Sequence, residues 1–291
     1  MDPRIQLRFD EVSAQYFDLA HKYPKALREI ALAETAESVQ QSNAIENSTL
    51  QLDDTERILA GHLPSGAHPL REVYEAKNLA RVTEELMHTR DDLTAQLMLH
   101  WHGMLLSGIR DDVAGRFRRA GEWVRIGGHV GANPEFISGL IHEALEQFHD
   151  ESSGSVLNRI ARFHCEFEVI HPFVDGNGRI GRVIINQQLL SQGLPPVIVR
   201  AKNRERDYYP LLDRYARTNS HYGMTRLLTL LTLEAMHKRI AIIDSPRVIT
   251  LAEWARRQGV TPASAMNRAK RQTIPAFRLR NRWMIAEDAE V

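Results

Sequence analysis

The feature of the sequence that most constrains its fold is a glycine-rich segment at residues 170–182, which reads IHPFVDGNGRIGR. Gly176 and Gly178 allow backbone conformations that a side chain would forbid, and they let a ligand approach the chain closely. Asn177, between them, tolerates left-handed geometry better than most residues. The amides of such a segment can converge on an anion, so the segment predicts an anion-binding loop.

The residues after this loop predict a helix. Ile180, Val183 and Ile184 share one helical face, whereas a strand would place Arg182 and Asn186 on the same face as two isoleucines. A GLPP sequence further on is typical of a helix end. Free amides and the positive end of the helix dipole attract phosphate at a helix N-terminus. We therefore expect the loop to bind a phosphate group.

Four side chains of the loop have chemistry that fits such a ligand. His171 is the natural general base, because histidine accepts a proton near neutral pH. Asp175 supplies one carboxylate for a magnesium ion that takes its other ligands from phosphates and water. Arg179 and Arg182 are three residues apart in the first helical turns, where their guanidinium groups can reach phosphate oxygens.

Two other interpretations of the loop are weaker. A structural histidine and a surface turn would explain single residues, but they do not explain the whole set. A zinc site on His171 and Asp175 would have the four-residue spacing of a helical ligand pair. However, Pro172 and Gly176 disfavour a helix there, and no third ligand has a matching spacing.

The rest of the chain is predicted to be mostly α-helical. Apolar residues recur at three- and four-residue spacing, which predicts core-facing helices. These residues are Leu79, Val82 and Leu86, then Leu93, Leu97, Trp101 and Met104, and then Met224, Leu227, Leu228 and Leu231. His164 and Cys165, on the apolar helix before the loop, are predicted to be core residues or to support the site.

Composition excludes several classes of protein. The 291 residues include 37 Lys+Arg and 37 Asp+Glu, which argues against a wholly basic nucleic-acid binder. The single cysteine excludes an intramolecular disulfide and any multi-cysteine metal site. There is no apolar run long enough to span a membrane and no apolar region typical of a signal peptide at the start, so we expect a cytoplasmic protein.

Residues 121–131, which read GEWVRIGGHVG, predict a short β-hairpin among the helices. β-forming residues precede a Gly-Gly pair, and Pro134 follows. On spacing alone, an ordinary connecting hairpin is the favoured interpretation.

The last 45 residues differ in pattern and in charge. Residues 250–259 and a second segment from Thr261 predict two short helices, and the alternation around Asn281 predicts a β-ribbon. Residues 247–291 contain nine Lys or Arg and four Asp or Glu, so the neutral total combines a basic segment at +5 with a body at −5. This order resembles a helix-turn-helix or winged-helix domain that contacts DNA phosphates, and a small protein-docking module fits equally well.

At residues 171–182 the sequence resembles the Fic family, whose motif is His-Pro-Phe-x-Asp/Glu-Gly-Asn-Gly-Arg-x-x-Arg, and it matches every fixed position. The resemblance covers about residues 60–243 and implies a mostly α fold, with a Fic-type helical core and a short hairpin flap. Members typically transfer AMP from ATP to a hydroxyl side chain of a target protein and release pyrophosphate. For this chain, the resemblance therefore implies ATP as the substrate, Mg²⁺, and a target protein as the partner.

The resemblance also implies a role for each matching residue. His171 would deprotonate the target hydroxyl, and Asp175 would hold magnesium. The phosphates would be cradled and bound by Gly176, Asn177, Gly178, Arg179 and Arg182. The hairpin would be a flap that holds the target backbone in extended form, and this changes our interpretation of it. The flap residues would be Arg125, Ile126, Gly127 and Gly128.

A second motif of the family, Ser/Thr-x-x-x-Glu-Gly/Asn, occurs as Ser42, Glu46 and Asn47. Helical spacing places Ser42 and Glu46 on one face. In the family, this glutamate pairs with the second arginine of the loop, here Arg182, and blocks productive placement of the γ-phosphate. The resemblance therefore implies an inhibitory helix on the N-terminal side of the core.

Together these patterns predict three segments: an N-terminal region at 1–60 with the inhibitory helix, a Fic core at 61–243, and a basic winged-helix-like module at 246–291. The leading functional hypothesis is AMP transfer to a protein, restrained by the inhibitory helix. One alternative is removal of AMP from a modified protein, with Glu46 positioning a water. Another is a DNA-binding regulator that uses the site as a nucleotide sensor.

Overall fold

The computed structural model describes residues 2–89 and 92–290, and most of them are helical, as predicted. The helices are α1 Pro3–Lys22, α2 Pro24–Ala33, α3 Thr35–Ile45, α4 Leu52–Leu59, α5 Leu70–Leu86, α6 Ala95–Leu106, α7 Ile137–His149, α8 Val156–Ile170, α9 Asn177–Ser191, α10 Arg204–Asp207, α11 Tyr209–Thr218, α12 Tyr222–Asp244, α13 Leu251–Arg257 and α14 Pro262–Lys270. The strands are β1 Arg125–Ile126, β2 His129–Val130, β3 Val248–Thr250, β4 Phe277–Leu279 and β5 Arg282–Ala286.

The described residues form two compact units, which are defined here by their residues. The central unit comprises residues 34–194 and 198–225. The terminal unit comprises residues up to 33, residues 195–197 and residues from 226 onward. The predicted division at 1–60, 61–243 and 246–291 stays a prediction.

The central unit is a helical assembly around α8 and α9, which pack against each other. α8 also packs on α7, and α5 packs on α3 and α6. Its fully buried large side chains include Trp101, Phe163, Phe167 and Phe173. Removing such aromatic surface from water is the main stabilising contribution, at about 25 cal/mol per Å². This core holds the turn between α8 and α9 in place.

Helix α6 shows how tertiary packing shifted one predicted face. Leu97 and Met104 were expected in the core but are only half-buried. Met98, Trp101 and Leu105 are fully buried instead, so the core face is rotated around the helix. The segment is apolar on most sides, and spacing alone therefore leaves its buried face ambiguous.

The predicted hairpin is present in the central unit. Strands β1 and β2 pair antiparallel, with Arg125 opposite Val130 and Ile126 opposite His129. The two-residue turn contains Gly127, whose φ of 53° lies in the left-handed region that favours glycine.

The terminal unit ends in a small α/β module at residues 246–290. Thr250 caps α13 through the Glu253 amide, and Thr261 caps α14 through the Ser264 amide. Strands β4 and β5 form the predicted ribbon, and β3 pairs with the other edge of β5 to give the order β3-β5-β4. Trp254 lies in its buried core. Assignment of this module to the winged-helix class stays a prediction.

Within the described ranges, no helix combines the length and the apolar character that a bilayer crossing requires.

Candidate active site

The turn between α8 and α9 is a rigid loop closed by its own side chains. α8 ends at Ile170 and is capped by His171, whose φ of 51° is left-handed and whose amide donates to the Phe167 carbonyl at 2.9 Å. The Asn177 side chain accepts from the Phe173 amide at 2.9 Å and donates to the Phe173 carbonyl at 2.8 Å. Gly176, with φ 81°, then caps α9. Asn177 is only 2% exposed, and in this structure its side chain holds the loop closed.

The imidazole of His171 has one ring nitrogen engaged by the backbone. Its Nδ1 lies 3.1 Å from the carbonyl oxygen of Glu168. A carbonyl only accepts, so Nδ1 carries the proton and Nε2 presents a lone pair. Burial lowers the pKa of His171 to about 4, and the charge of Arg118 contributes to this decrease. At neutral pH the ring is therefore uncharged, and its Nε2 can accept a proton.

Arg118 fastens the base of the hairpin to the loop. It is 3% exposed, and its guanidinium donates to the carbonyls of His171 at 2.8 Å and Ile170 at 3.2 Å. It also donates to the carbonyls of Glu122 and Ala132, both at 2.8 Å. Burial lowers the pKa of Arg118 from its usual value. Backbone carbonyls from both segments thus converge on one buried cation.

The hairpin base and the loop are in direct contact as well. The Ala132 amide donates to the Ile170 carbonyl at 3.1 Å. A Cβ at Gly131 would lie 3.3 Å from the His171 Cβ and 3.0 Å from Arg118 Nη2. Glycine at this position therefore allows the close approach.

A cleft of about 390 Å³ opens in front of the loop. Its lining residues come from α3, the hairpin, the α8–α9 turn and α10–α11: Glu46, Ile126, Gly127, His129, Glu168, Val169, His171, Gly178, Arg182, Glu205, Tyr208, Tyr209, Leu212 and Asp213. The predicted base, one loop glycine, the second arginine and the motif glutamate thus share one space. Of the predicted flap residues, Ile126 and Gly127 line it.

Arg182 joins α9 to α3. Its Nε donates to the Ser42 hydroxyl at 2.9 Å, and its Nη2 donates to the Ser42 carbonyl at 3.0 Å. The same Nη2 donates to a Glu46 carboxylate oxygen at 2.8 Å. Arg182 is 7% exposed, so most of its hydrogen-bonding capacity is used inside the protein.

The carboxylate of Glu46 occupies the space over the helix N-terminus. A Cβ on Gly178 would collide with Glu46 Oε1. Glu46 is the C-terminal cap of α3, and Asn47 follows in left-handed geometry with φ 69°. The Asn47 side chain accepts from Arg204 at 2.7 Å. An acidic group thus lies over the helix N-terminus that the sequence predicts to bind phosphate.

Asp175 and Arg179 lie on another side of the loop. The Asp175 carboxylate accepts from Arg179 at 3.0 Å and from Arg71 at 2.6 Å. Arg179 also pairs with Glu75 at 3.0 Å and is 3% exposed. Burial would raise the pKa of Asp175, but the charges of Arg179 and Arg71 lower it below its usual value. Arg179, which is turned toward Asp175 and Glu75, is not among the residues that line the cleft.

The carboxylate of Asp175 could supply one ligand to a metal ion. Among residues 2–89 and 92–290, no cluster of three His, Cys, Asp or Glu side chains could hold a metal by itself. One ionised carboxylate suits a magnesium ion that keeps water and substrate phosphates as its other ligands. Its partner Arg71 is half exposed, so the contact is open to exchange.

A buried polar cluster lies behind the loop on α8. The Nε2 of His164 is 2.6 Å from the Tyr208 hydroxyl. Burial lowers the pKa of His164 to about 3, together with the charge of Arg182. Burial raises the pKa of Glu168 to about 8, against the opposing charge of Arg182. Burial likewise raises the pKa of the Cys165 thiol, which makes it a poor nucleophile.

Sequence reasoning missed several residues that shape this site. They are Arg71, Glu75, Arg118, Glu168, Arg204, Tyr208 and Tyr209. Each lies outside the two motifs, and all except Glu168, which is three residues before His171, reach the site through tertiary contacts. The sequence signal closest to such a role was the basic character of residues 116–119, just before the hairpin.

Comparisons with known proteins agree with this geometry. The model of the Fic/DOC family matches residues 92–189. A curated relative, protein adenylyltransferase Fic of Drosophila virilis, is 27% identical over 214 residues, which cover 72% of this chain and 44% of the relative. This chain thus spans less than half the length of that relative.

Two crystal structures share the fold. A Fic domain containing signaling protein from Bacteroides thetaiotaomicron has a TM-score of 0.71 at 20% identity, covering 80% of this chain and 95% of that one. A Fic family protein from Desulfovibrio desulfuricans has a TM-score of 0.70 at 25% identity, covering 92% and 84%. Residues 92–189, which include the loop, therefore match the Fic/DOC family model, and the chain shares the fold of these structures.

Proposed function

We propose that this protein transfers AMP from ATP to a hydroxyl side chain of a target protein, and that α3 restrains the reaction. The observation that carries the proposal is the cleft, in which an unprotonated histidine lies beside a glycine-rich helix N-terminus and a buried arginine. The curated relatives named as protein adenylyltransferases support the same reaction.

In the proposed reaction, His171 Nε2 accepts the proton of the target hydroxyl. The hydroxyl oxygen then forms a bond to the α-phosphorus of ATP, and the bond from that phosphorus to the bridging oxygen breaks. Pyrophosphate leaves with the electron pair of the broken bond, and AMP remains on the target. The Glu168 carbonyl keeps the His171 ring in the tautomer that can accept this proton.

The nucleotide phosphates would be held by the α9 N-terminus and by arginine. Gly178 leaves room over the first helical turn, where the amides and the helix dipole favour an anion. Arg182 would bind a phosphate once its bonds to α3 are given up. Gly176 and Asn177 would fix the loop conformation, and Arg179 would act through Asp175.

Asp175 would hold Mg²⁺, which neutralises phosphate charge when bound. Arg71 would have to leave one oxygen of the Asp175 carboxylate for this.

The target would bind along the hairpin. Residues 125–130 form a two-stranded ribbon with an exposed edge, and Ile126 and Gly127 face the cleft. Such an edge can pair with an extended peptide through backbone hydrogen bonds, which suits a target of varied sequence. Arg125 and Gly128 would contribute at this edge. The ribbon is tied to the loop through Arg118, so a bound peptide would lie at a fixed distance from His171.

The restraint would come from Glu46, which occupies both Arg182 and the space over Gly178. A carboxylate there repels the terminal phosphate of ATP, and it helps to keep Arg182 bonded to α3. Release of α3 would remove both obstacles.

The test is incubation of the full chain with Mg²⁺ and ATP labelled at the α-phosphate, followed by measurement of label on the protein itself and on lysate proteins. Glu46→Gly should increase labelling at least tenfold, and His171→Ala in that background should abolish it. Glu205→Gln is the matched control, because Glu205 lines the same cleft without contacting Arg182. Unchanged labelling in Glu46→Gly would refute the restraint. If the parent chain released AMP from prelabelled protein and Glu46→Gly did not, the direction of the reaction would be reversed.

A further inference from the structure

The C-terminal module carries a long stretch without acidic residues. Residues 254–286 contain no Asp or Glu and eight Arg or Lys. The basic residues are Arg256, Arg257, Arg268, Lys270, Arg271, Arg278, Arg280 and Arg282. Of the bordering acidic residues, Glu253 and Glu287 both pair with Arg257, and Asp288 accepts from the Ser245 hydroxyl. Arg257 is therefore neutralised, and the stretch as a whole keeps an excess of positive charge.

Helix α14 has a thin buried face and a broad exposed one. Within it only Ala265 and Ala269 are buried, and both pack into the module core. The opposite face is exposed and changes in character along the helix. Its exposed residues are Pro262, Ala263, Ser264, Asn267 and Lys270, and Arg271 follows as the exposed cap. The exposed side chains before Lys270 are thus small and uncharged, and the C-terminal end is basic.

The β4–β5 ribbon, which follows α14 in the sequence, has basic residues at its turn. Arg280 and Asn281 form the turn between β4 and β5, with left-handed φ values of 47° and 63°. These two residues and Arg282 are exposed. Arg278 is occupied, because it bonds to Glu234 at 2.7 Å and stacks over Trp283.

We propose that α14 and the β4–β5 ribbon bind duplex DNA. The exposed face of α14 has side chains small enough for the helix to enter a major groove about 12 Å wide. In helix-turn-helix modules the N-terminal residues of the second helix meet base edges, and here Ser264 and Asn267 occupy that part of α14. Lys270 and Arg271 at the end of the helix, and Arg280 and Arg282 on the ribbon, bind phosphates.

The character of the surface favours DNA over a protein partner. Protein interfaces have large apolar or aromatic anchors at their centres. Among the described residues from 246 to 290, Leu279 is the only strongly exposed large apolar side chain. Dense positive charge with few apolar anchors is the pattern that a polyphosphate backbone requires.

The test is fluorescence anisotropy of the full chain with a labelled 24-base-pair duplex of mixed sequence, measured between 50 and 200 mM KCl. We expect binding that weakens as salt increases. Arg280→Ala/Arg282→Ala should lower the affinity about tenfold or more, and should reduce the slope of log K against log salt by about 1.8, at roughly 0.9 for each lost phosphate contact. Lys270→Ala/Arg271→Ala should act similarly.

Lys77→Ala/Arg81→Ala is the matched control. It removes two exposed positive charges from α5 in the central unit, and it should leave both the affinity and the salt slope unchanged. Absence of binding at 50 mM KCl would overturn the proposal, and so would equal losses in the control and module variants. If polyglutamate of matched charge competed as well as unlabelled duplex, the surface would instead be a docking site for acidic proteins.

Discussion

At the scale of single residues, Arg118 shows how a cation can organise a site without touching the substrate. Its guanidinium donates to backbone carbonyls before and after the hairpin and at the C-terminal end of α8. The planar fork of arginine suits this task, whereas the lysine ammonium is a point charge. Arg118 does not line the cleft, so its effect on catalysis would be through the position of His171 and of the hairpin.

The first prediction follows from this geometry. In the Glu46→Gly background, Arg118→Lys should lower the rate of self-labelling about tenfold, equivalent to about 1.4 kcal/mol, because the hairpin and His171 lose their common anchor. Arg118→Met should lower it further. Binding of a fluorescent ATP analogue should change less than about threefold in Arg118→Lys.

Arg119→Met is the control, since Arg119 is an exposed neighbour of the same type. A parallel loss of nucleotide binding and rate in Arg118→Lys would indicate general damage to the fold, and it would contradict a positioning role.

The loop and helix start at residues 171–182 could be predicted from the sequence, because the contacts that fix their conformation are local. Asn177 closes the loop by bonding to Phe173, four residues earlier, and Gly176 is the N-cap directly before α9. The partners of the two arginines could not be predicted, because spacing along a helix does not show which distant residue a side chain contacts. Arg179 pairs with Glu75, about a hundred residues earlier in the chain, and Arg182 reaches Ser42. Pairings over such distances are set by the fold.

At the scale of elements, α3 is held by polar contacts at its C-terminal end. The carbonyls of its last turn accept from three side chains: Ser42 from Arg182, Ala44 from Arg204 and Ile45 from Tyr209. Cations at a helix C-terminus are favoured by the helix dipole. Further up, Glu37 pairs with Arg200, and Gln41 accepts from the Ala201 amide.

This mode of docking suits the proposed release of α3. Among the buried residues of α3, the large apolar ones are Val39 and Ile45, and several of the others are polar. A helix that buried mainly apolar surface would be harder to release, since each buried methylene contributes about 0.8 kcal/mol. Polar contacts can be exchanged for water or for a ligand at a smaller net cost.

The second prediction concerns this docking. Tyr209→Phe removes one hydrogen bond to α3 and keeps the ring in the cleft. The free energy that holds α3 in place should fall by about 0.5–1.5 kcal/mol, so self-labelling of the otherwise unaltered chain should rise roughly two- to tenfold. In the Glu46→Gly background the same change should have no effect, because the restraint is already gone.

Tyr74→Phe, at an exposed tyrosine on α5, should leave labelling unchanged in both backgrounds. If Tyr209→Phe changed labelling by the same factor with and without Glu46, the tyrosine would act on the reaction itself rather than through α3.

Periodicity predicted the helical elements well where one face is apolar and the other polar. α5 has this pattern, and its predicted residues Leu79, Val82 and Leu86 are all buried. α6 is apolar on most sides, so its buried face was misassigned. The ribbon and its turn were found because Arg280 and Asn281 interrupt a clear alternation.

At the scale of the whole molecule, the sequence did not indicate that its two ends contribute to one unit. Residues up to 33 group with residues from 226 onward, and the central unit lies between them in the chain. Within the terminal unit, Ser13 on α1 contacts Met236 on α12, and Arg8 donates to the Arg271 carbonyl. Local patterns predict elements, but a pairing across more than two hundred residues depends on surfaces that become complementary only after folding.

The pH dependence of stability is a second property of the whole molecule, because histidines with lowered pKa values occur in both units. Burial lowers the pKa of His102, His171 and His237 to about 4, and that of His164 to about 3, from a usual 6.5. The unfolded chain therefore binds more protons than the folded chain between about pH 6.5 and 4. Their contribution to stability is fully present above pH 6.5 and is lost as the pH falls toward 4. Glu168, with a raised pKa, has the opposite effect between about pH 4.5 and 8.

The third prediction is that the unfolding free energy decreases steeply with acid. Each buried histidine contributes up to about 1.4 kcal/mol per pH unit within its window, so denaturant midpoints should fall sharply between pH 6 and 4.5. His237→Gln can still hydrogen-bond Gln272, and it should reduce the proton uptake on unfolding by about one. Equal pH slopes for the parent chain and His237→Gln would mean that His237 has the same affinity for protons in both states, which its burial argues against.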